Sequence, residues 1–189
     1  MDYKFFLKRL ALIIFRPAKA WDEISAGDEP VKVTRNYFVL PFAILAAIAA
    51  FLGSLLFTDT QLSVNYSVLV GIKYFLLPFA AVYGSAVIIK EITYPLDLGR
   101  SFKTAFRLVS YSMIPFFFCL ILSSLLESLI FVDILGLYGL YIFWVGAERM
   151  LTPQEHKKMP LVIAAVIVVL TLWVGSGWFL SQVIERIYF

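Results

Sequence analysis

Five long apolar runs decide most of what this chain can become. They extend roughly over 37–57, 66–89, 106–126, 129–147 and 160–180, each close to the ~20 residues a helix needs to cross a bilayer. In lipid the backbone must satisfy its own polar groups, so each run is expected to be a helix. The fold class that follows is all-α, an integral membrane bundle of five transmembrane helices preceded by a cytoplasmic amphipathic interfacial helix. Composition agrees, with 61% hydrophobic and 15% charged residues, where an ordinary soluble domain is about half apolar. The intervening segments are too short for a soluble catalytic domain. The chain therefore divides into a cytoplasmic N-terminal segment, 1–36, and a five-helix transmembrane domain, 37–189.

Basic residues set the expected orientation. Lys4, Lys8, Arg9, Arg16, Lys19, Lys32 and Arg35 precede the first run. Lys90, Arg100, Lys103 and Arg107 surround the second loop, and Arg149, Lys157 and Lys158 the fourth. The first and third loops contain only acids, Asp59 and Glu127, with Asp133 just inside the next run. Positive residues stay inside, so the N-terminus, the second loop and the fourth loop are expected in the cytoplasm and the C-terminus outside. The net charge of +3 then describes an inner face suited to anionic lipid headgroups. No basic groove with interleaved aromatics points to nucleic acid. Ala18-Lys19-Ala20 resembles a signal cleavage site, but the apolar stretch before it, Leu10 to Phe15, is too short and ends at Arg16-Pro17.

Residues 3–15 read as a helix with Tyr3, Phe6, Leu7, Leu10, Ile13 and Ile14 along one stripe and Lys4, Lys8 and Arg9 off it. It is too short to span and is expected to lie on the membrane. Pro17 can open a second short helix through Trp21, Glu23 and Ile24, ended by Ala26-Gly27-Asp28-Glu29-Pro30. The segment reads either as an interfacial anchor or as a docking surface for a partner.

Tyr-x-x-x-Pro-Phe occurs three times, at 37–42, 74–79 and 111–116, each copy 37 residues after the last. Proline has no N–H, so a helical copy leaves its own Tyr carbonyl without a partner. Pro41 falls near the start of the first span, whereas Pro78 and Pro115 fall near the middle of two antiparallel spans. Paired breaks at mid-depth point to a binding site in transporters, and prolines also serve packing in membrane helices. The repeat is not a clean duplication, because shifting the second span by 74 residues lands on 140–163, across a loop.

Lys73 is the costly residue within the spans. A buried ammonium must snorkel or pair, and Glu127 and Asp133 lie towards the same outer side. An ion pair there is either a transport-site element or a helix clamp. The candidate functional residues are thus Lys73, Tyr74, Pro78, Arg107, Tyr111, Pro115, Glu127 and Asp133. Gly136, Gly139, Gly146, Gly175 and Gly177 predict close helix approach.

Enzyme signatures are missing. His156 stands between Glu155 and Lys157 with no second ligand nearby, Cys119 is the lone cysteine, and no metalloprotease, nucleophile-elbow or phosphate-loop motif occurs. No cofactor, metal site or catalytic residue is expected.

The stretch from Ser101 to Phe116, SFKTAFRLVSYSMIPF, resembles the central signature of the Yip1-domain family, in which Tyr-Ser and then Pro open the third span. Phe15 to Ile24, FRPAKAWDEI, looks like the segment that precedes the first span in bacterial members. The resemblance implies five spans and a cytoplasmic N-terminus. Eukaryotic members act in early secretory trafficking with prenylated Rab-type GTPases and with one another. Their long acidic N-terminal region is missing here, so Rab binding is not carried over. The expected function is that of a non-enzymatic Yip1-like inner-membrane protein that organises lipid or protein partners. Its expected partners are membrane lipids and a membrane protein or a second copy of itself, not nucleic acid. The alternative is a small-solute or ion transporter or channel with a midplane site between the second and third spans.

Overall fold

Punctuation in the sequence explains where the helices start and stop. The computed structural model describes residues 3–57, 64–96 and 98–188, and among them every regular element is helical. Helix α1 covers Tyr3–Phe15. Pro17 opens α2, Pro17–Ala26, which ends at an extended Gly27. An extended Pro30 then precedes α3, Val31–Phe57. Helix α4 is Val64–Thr93. Gly99 turns the chain with a φ of 82°, a left-handed conformation that suits glycine. Ser101 caps α5, Phe102–Ser112, by accepting the Thr104 N–H at 3.2 Å. Helix α6 is Ile114–Leu125, and 3-10 turns over Glu127–Leu137 lead into α7, Tyr138–Leu151. Helix α8, Glu155–Tyr188, closes the chain.

Four helical stretches are long and apolar enough to cross a membrane: Val31–Phe57, Val64–Thr93, Val132–Leu151 and Glu155–Tyr188. The α5–α6 pair, bent by 45°, makes a fifth if taken as one span. The all-helical bundle expected from the apolar runs is therefore what forms, with five spans when the bent pair is counted as one. Helix α4 is central, packing against α3, α5 and α8, while α7 fits between α2 and α5. Ile13, Trp21 and Ile24 of the N-terminal segment share one buried core with Phe38, Phe106, Tyr111 and Ile142. Helix α2 and the end of α1 thus pack into the bundle instead of trailing from it.

The three Tyr-x-x-x-Pro-Phe copies meet the missing N–H in three ways. In α3 a π-helical turn at Arg35–Val39 lets the Leu40 N–H reach back to the Arg35 carbonyl, widening the turn just before Pro41. Helix α4 runs without interruption through Pro78. The third copy breaks at Met113, which puts Pro115 in the first turn of α6, where its missing N–H costs nothing. Few bonds are lost, because the Met113 N–H bonds the Val109 carbonyl at 3.0 Å and the Phe117 N–H bonds the Met113 carbonyl at 2.9 Å. Pro78 and Pro115 were the two expected at similar depth in antiparallel spans. Only the second of them coincides with a break in its helix.

Helix α7 crosses this break closely. A Cβ on Gly139 would sit 2.4 Å from the Ser112 carbonyl oxygen, so only glycine fits. Gly136 and Gly146 also allow close approach, whereas Gly175 faces open space and Gly177 lies no nearer than 3.9 Å to Leu77.

Candidate functional site

Two polar clusters emerge from the candidate residues. The first is built on α5, where Arg107 and Tyr111 stand one turn apart and both are buried. The Arg107 guanidinium donates to the Ile24 carbonyl and, at 2.8 Å, to the Gly27 carbonyl. These are the last carbonyls of α2, which have no helical partner of their own. A cation there also complements the negative end of the helix dipole. One turn on, the Tyr111 hydroxyl donates to Glu29 at 3.0 Å, and the other Glu29 oxygen accepts from Arg9 at 2.6 Å. Arg9 was expected off the apolar stripe of a helix lying on the membrane. The structure instead packs Arg9 inward and leaves Leu7 60% exposed, because Glu29 offers the guanidinium a carboxylate on the inner side.

Aromatic packing completes this first cluster. Tyr111 meets Phe38 edge-on at 4.8 Å and Trp21 at 5.9 Å. The Trp21 indole N–H donates to the Ile142 carbonyl of α7 at 3.0 Å, satisfying the one polar atom of a fully buried ring. Gly146 makes room for that ring, since a Cβ there would lie 2.5 Å from it. Nearby, Lys103 pairs with Asp28, and the ammonium holds that carboxyl below the usual carboxylate range. Arg9 Nη1, Arg107 Nε and Ser110 Oγ are buried with no hydrogen-bond partner among the described residues. Both guanidinium charges are nevertheless answered, one by Glu29 and one by the end of α2.

The second cluster lies deeper in the spans. Lys73 donates to Ser181 Oγ of α8 at 2.7 Å, sits 5.5 Å from the Tyr74 ring centre and has Glu185 within electrostatic range. Its partner is therefore on the last helix. Asp133, a candidate counter-ion for Lys73, has Tyr74 and Cys119 within electrostatic range instead. Asp133 Oδ1 is buried without a hydrogen-bond partner among the described residues. Asp59 and the Glu127 side chain lie outside the described residues. Tyr74 is beside Ser124, while Tyr111 packs on Phe38 and Trp21, so the third motif copy meets the first and the N-terminal segment.

Trp21 and Ile24, within Phe15–Ile24, and Arg107 and Tyr111, within Ser101–Phe116, belong to the stretches that carried the family resemblance, whereas Gly27 and Glu29 follow the first of them. The Yip1 domain model matches residues 11–179. The chain belongs to the Yip1 family. It matches no curated protein and no solved structure. In this Yip1 domain the matched region begins inside α1 and takes in Glu29, Arg107 and Tyr111 of the first cluster and Lys73 and Tyr74 of the second, while Arg9, Ser181 and Glu185 lie just outside it.

The Yip1 bundle also leaves a groove of about 100 Å³ between the α5–α6 break, the start of α7 and α8. Ser112, Phe116, Asp133, Leu140, Val169 and Trp173 are among its walls, with the Trp173 ring edge-on to Phe116 at 4.6 Å.

Arg9, Glu29, Ser112 and Ser181 were not legible as site residues. Arg9 and Glu29 had a usable signal, a basic and an acidic residue flanking two short amphipathic helices. Ser112 and Ser181 had none, because a serine in an apolar helix reads the same wherever it faces.

Proposed function

We propose that this Yip1-family protein is a non-enzymatic inner-membrane organiser of lipid or protein partners, with its N-terminus in the cytoplasm and its C-terminus outside. One observation carries the reading: α1 is held on the bundle through Arg9, Glu29 and Tyr111, which fixes its other face outward. That face exposes Lys4, Lys8, Leu7 and Phe15, a basic and apolar combination suited to an anionic bilayer interface. A tethered helix would present the same residues in random directions; a fixed one presents them beside the spans.

The test is crosslinking and purification of the full chain in native lipid. Enrichment of anionic lipid or of a protein partner, reduced by the Lys4→Glu/Lys8→Glu double variant, supports the reading. Recovery of monomer alone, with neither lipid nor protein bound, rejects it.

Transport of a small solute or ion is the second reading, favoured by the mid-span break at Met113 and by Asp133 on the wall of the same groove, whose Oδ1 has no hydrogen-bond partner among the described residues. Solute flux into proteoliposomes, lost in Lys73→Ala or Asp133→Asn, would establish it over the organising role.

A further inference from the structure

The groove beside α8 presents a chemical demand that the protein does not meet. Its rim is formed by Leu137, Leu140 and Leu170, which are 57%, 40% and 51% exposed. These residues belong to spans, so the opening faces hydrocarbon, and what fills it must be aliphatic. An alkyl chain alone is not sufficient. Asp133 places on the groove wall a buried carboxylate oxygen with no hydrogen-bond partner among the described residues. An unanswered polar group in lipid costs several kcal/mol, and a carboxylate more.

The register of the walls orders the groove. Gly139 lies against Ser112 and Gly136 against Phe116, so α7 and α5–α6 run antiparallel, with Asp133 further from the break, near Cys119. One end of the groove is therefore the mid-span break with Ser112. The end nearer the membrane surface holds the carboxylate. A ligand matching this order is an amphiphile whose tail runs towards the break and whose head carries a cationic hydrogen-bond donor. Among the described residues no Lys or Arg bonds Asp133, whereas Lys73, the basic residue deepest in the spans, is engaged by Ser181.

We infer that this groove seats a segment of one acyl chain of an amine-headed phospholipid, the rest of the chain lying along the open side of the groove in the bilayer, with the head ammonium donating to Asp133. The inference rests on the lipid-organising reading and adds to it a site that does not involve α1. A primary ammonium supplies N–H donors as well as charge, so it satisfies the carboxylate in a way that a trimethylated head of equal charge does not. A phosphoglycerol head brings no cation and is disfavoured beside Asp133.

The test uses the full chain in mild detergent, with native mass spectrometry to measure lipid retained from equimolar mixtures of three lipids with identical acyl chains, headed by a primary amine, a trimethylated amine or phosphoglycerol. The amine-headed lipid is expected to be retained about tenfold over the other two, a difference of about 1.4 kcal/mol. Asp133→Asn should abolish that preference, and Leu140→Trp, which fills the groove mouth, should lower retention of all three. Ile48→Trp, at a 51% exposed site on α3, should leave retention unchanged. Equal retention of the three heads by the unaltered protein, or a preference surviving in Asp133→Asn, overturns the inference. Loss of anionic-lipid enrichment in Lys4→Glu/Lys8→Glu with amine retention intact would show the α1 reading and the groove to be separate.

Discussion

The two sides of the bundle treat buried charge in opposite ways. On the N-terminal side, Arg9 and Arg107 are each met by a carboxylate or by the carbonyl end of a helix, and the rings of Trp21, Phe38 and Tyr111 interlock around them. On the α8 side, Asp133 Oδ1 has no hydrogen-bond partner among the described residues, a groove stays open, and only 17% of the most apolar window of α8 is buried, against 39% for α3 and α4. The first side is built to hold a fixed shape. The second is built to meet something else.

Removing an aromatic from each side should separate them most strongly. Trp21→Ala deletes a fully buried indole and its hydrogen bond, and is expected to cost about 3 to 5 kcal/mol. Trp173→Ala, on a half-buried groove wall, should cost less than about 2 kcal/mol. Thermal unfolding of both variants in the same detergent checks the order, and equal losses would erase the distinction.

Charge removal gives the next contrast. Glu29→Ala strands the Arg9 guanidinium and should cost about 3 kcal/mol, with part recovered in Arg9→Met/Glu29→Ala, measured by the same unfolding transition. Asp133→Asn, which removes a carboxylate whose Oδ1 lacks a hydrogen-bond partner among the described residues, should be neutral or stabilising in lipid-free detergent. Glycines offer a smaller version of the comparison. Gly146→Ala pushes a Cβ into the Trp21 ring and should cost about 1 to 3 kcal/mol, while Gly175→Ala, in open space, should gain up to about 1 kcal/mol of helix propensity.

The smallest effect is electrostatic and belongs to the exposed rim of the N-terminal side. Lys103 lowers the Asp28 carboxyl below its ordinary value, so this pair stabilises the fold above the unfolded carboxylate's pKa of about 3.9. That contribution fades as pH falls through the lower folded value. Docking of the Asp28 turn, followed by the fluorescence of a probe at residue 28's neighbour Ser25, should loosen only in strong acid, and Lys103→Ala should remove the acid step.

What could be read from the sequence follows from what is local. Span number and helical class came from runs of ~20 apolar residues, because hydrocarbon thickness acts on each run separately. The proline motif did not reveal its outcome, since identical spacing became a π turn, an uninterrupted helix and a 45° break according to neighbours that no spacing specifies. Arg107 and Tyr111 were found among the candidates, but their partners on α2 and at Glu29 lie about 80 residues away in sequence. Leu7 and Arg9 exchanged their expected faces for the same reason: a single distant carboxylate outweighs hydrophobic periodicity in one turn of helix.

The central claim is that residues 17–26 are part of the bundle and not a tether. Hydrogen exchange on the full chain in lipid nanodiscs tests it most directly. The account predicts that α2 amides exchange as slowly as those of α5 and that Trp21→Ala accelerates α2 while leaving α8 unchanged. Fast exchange of α2 in the unaltered protein, at the rate of an undocked peptide, would contradict it.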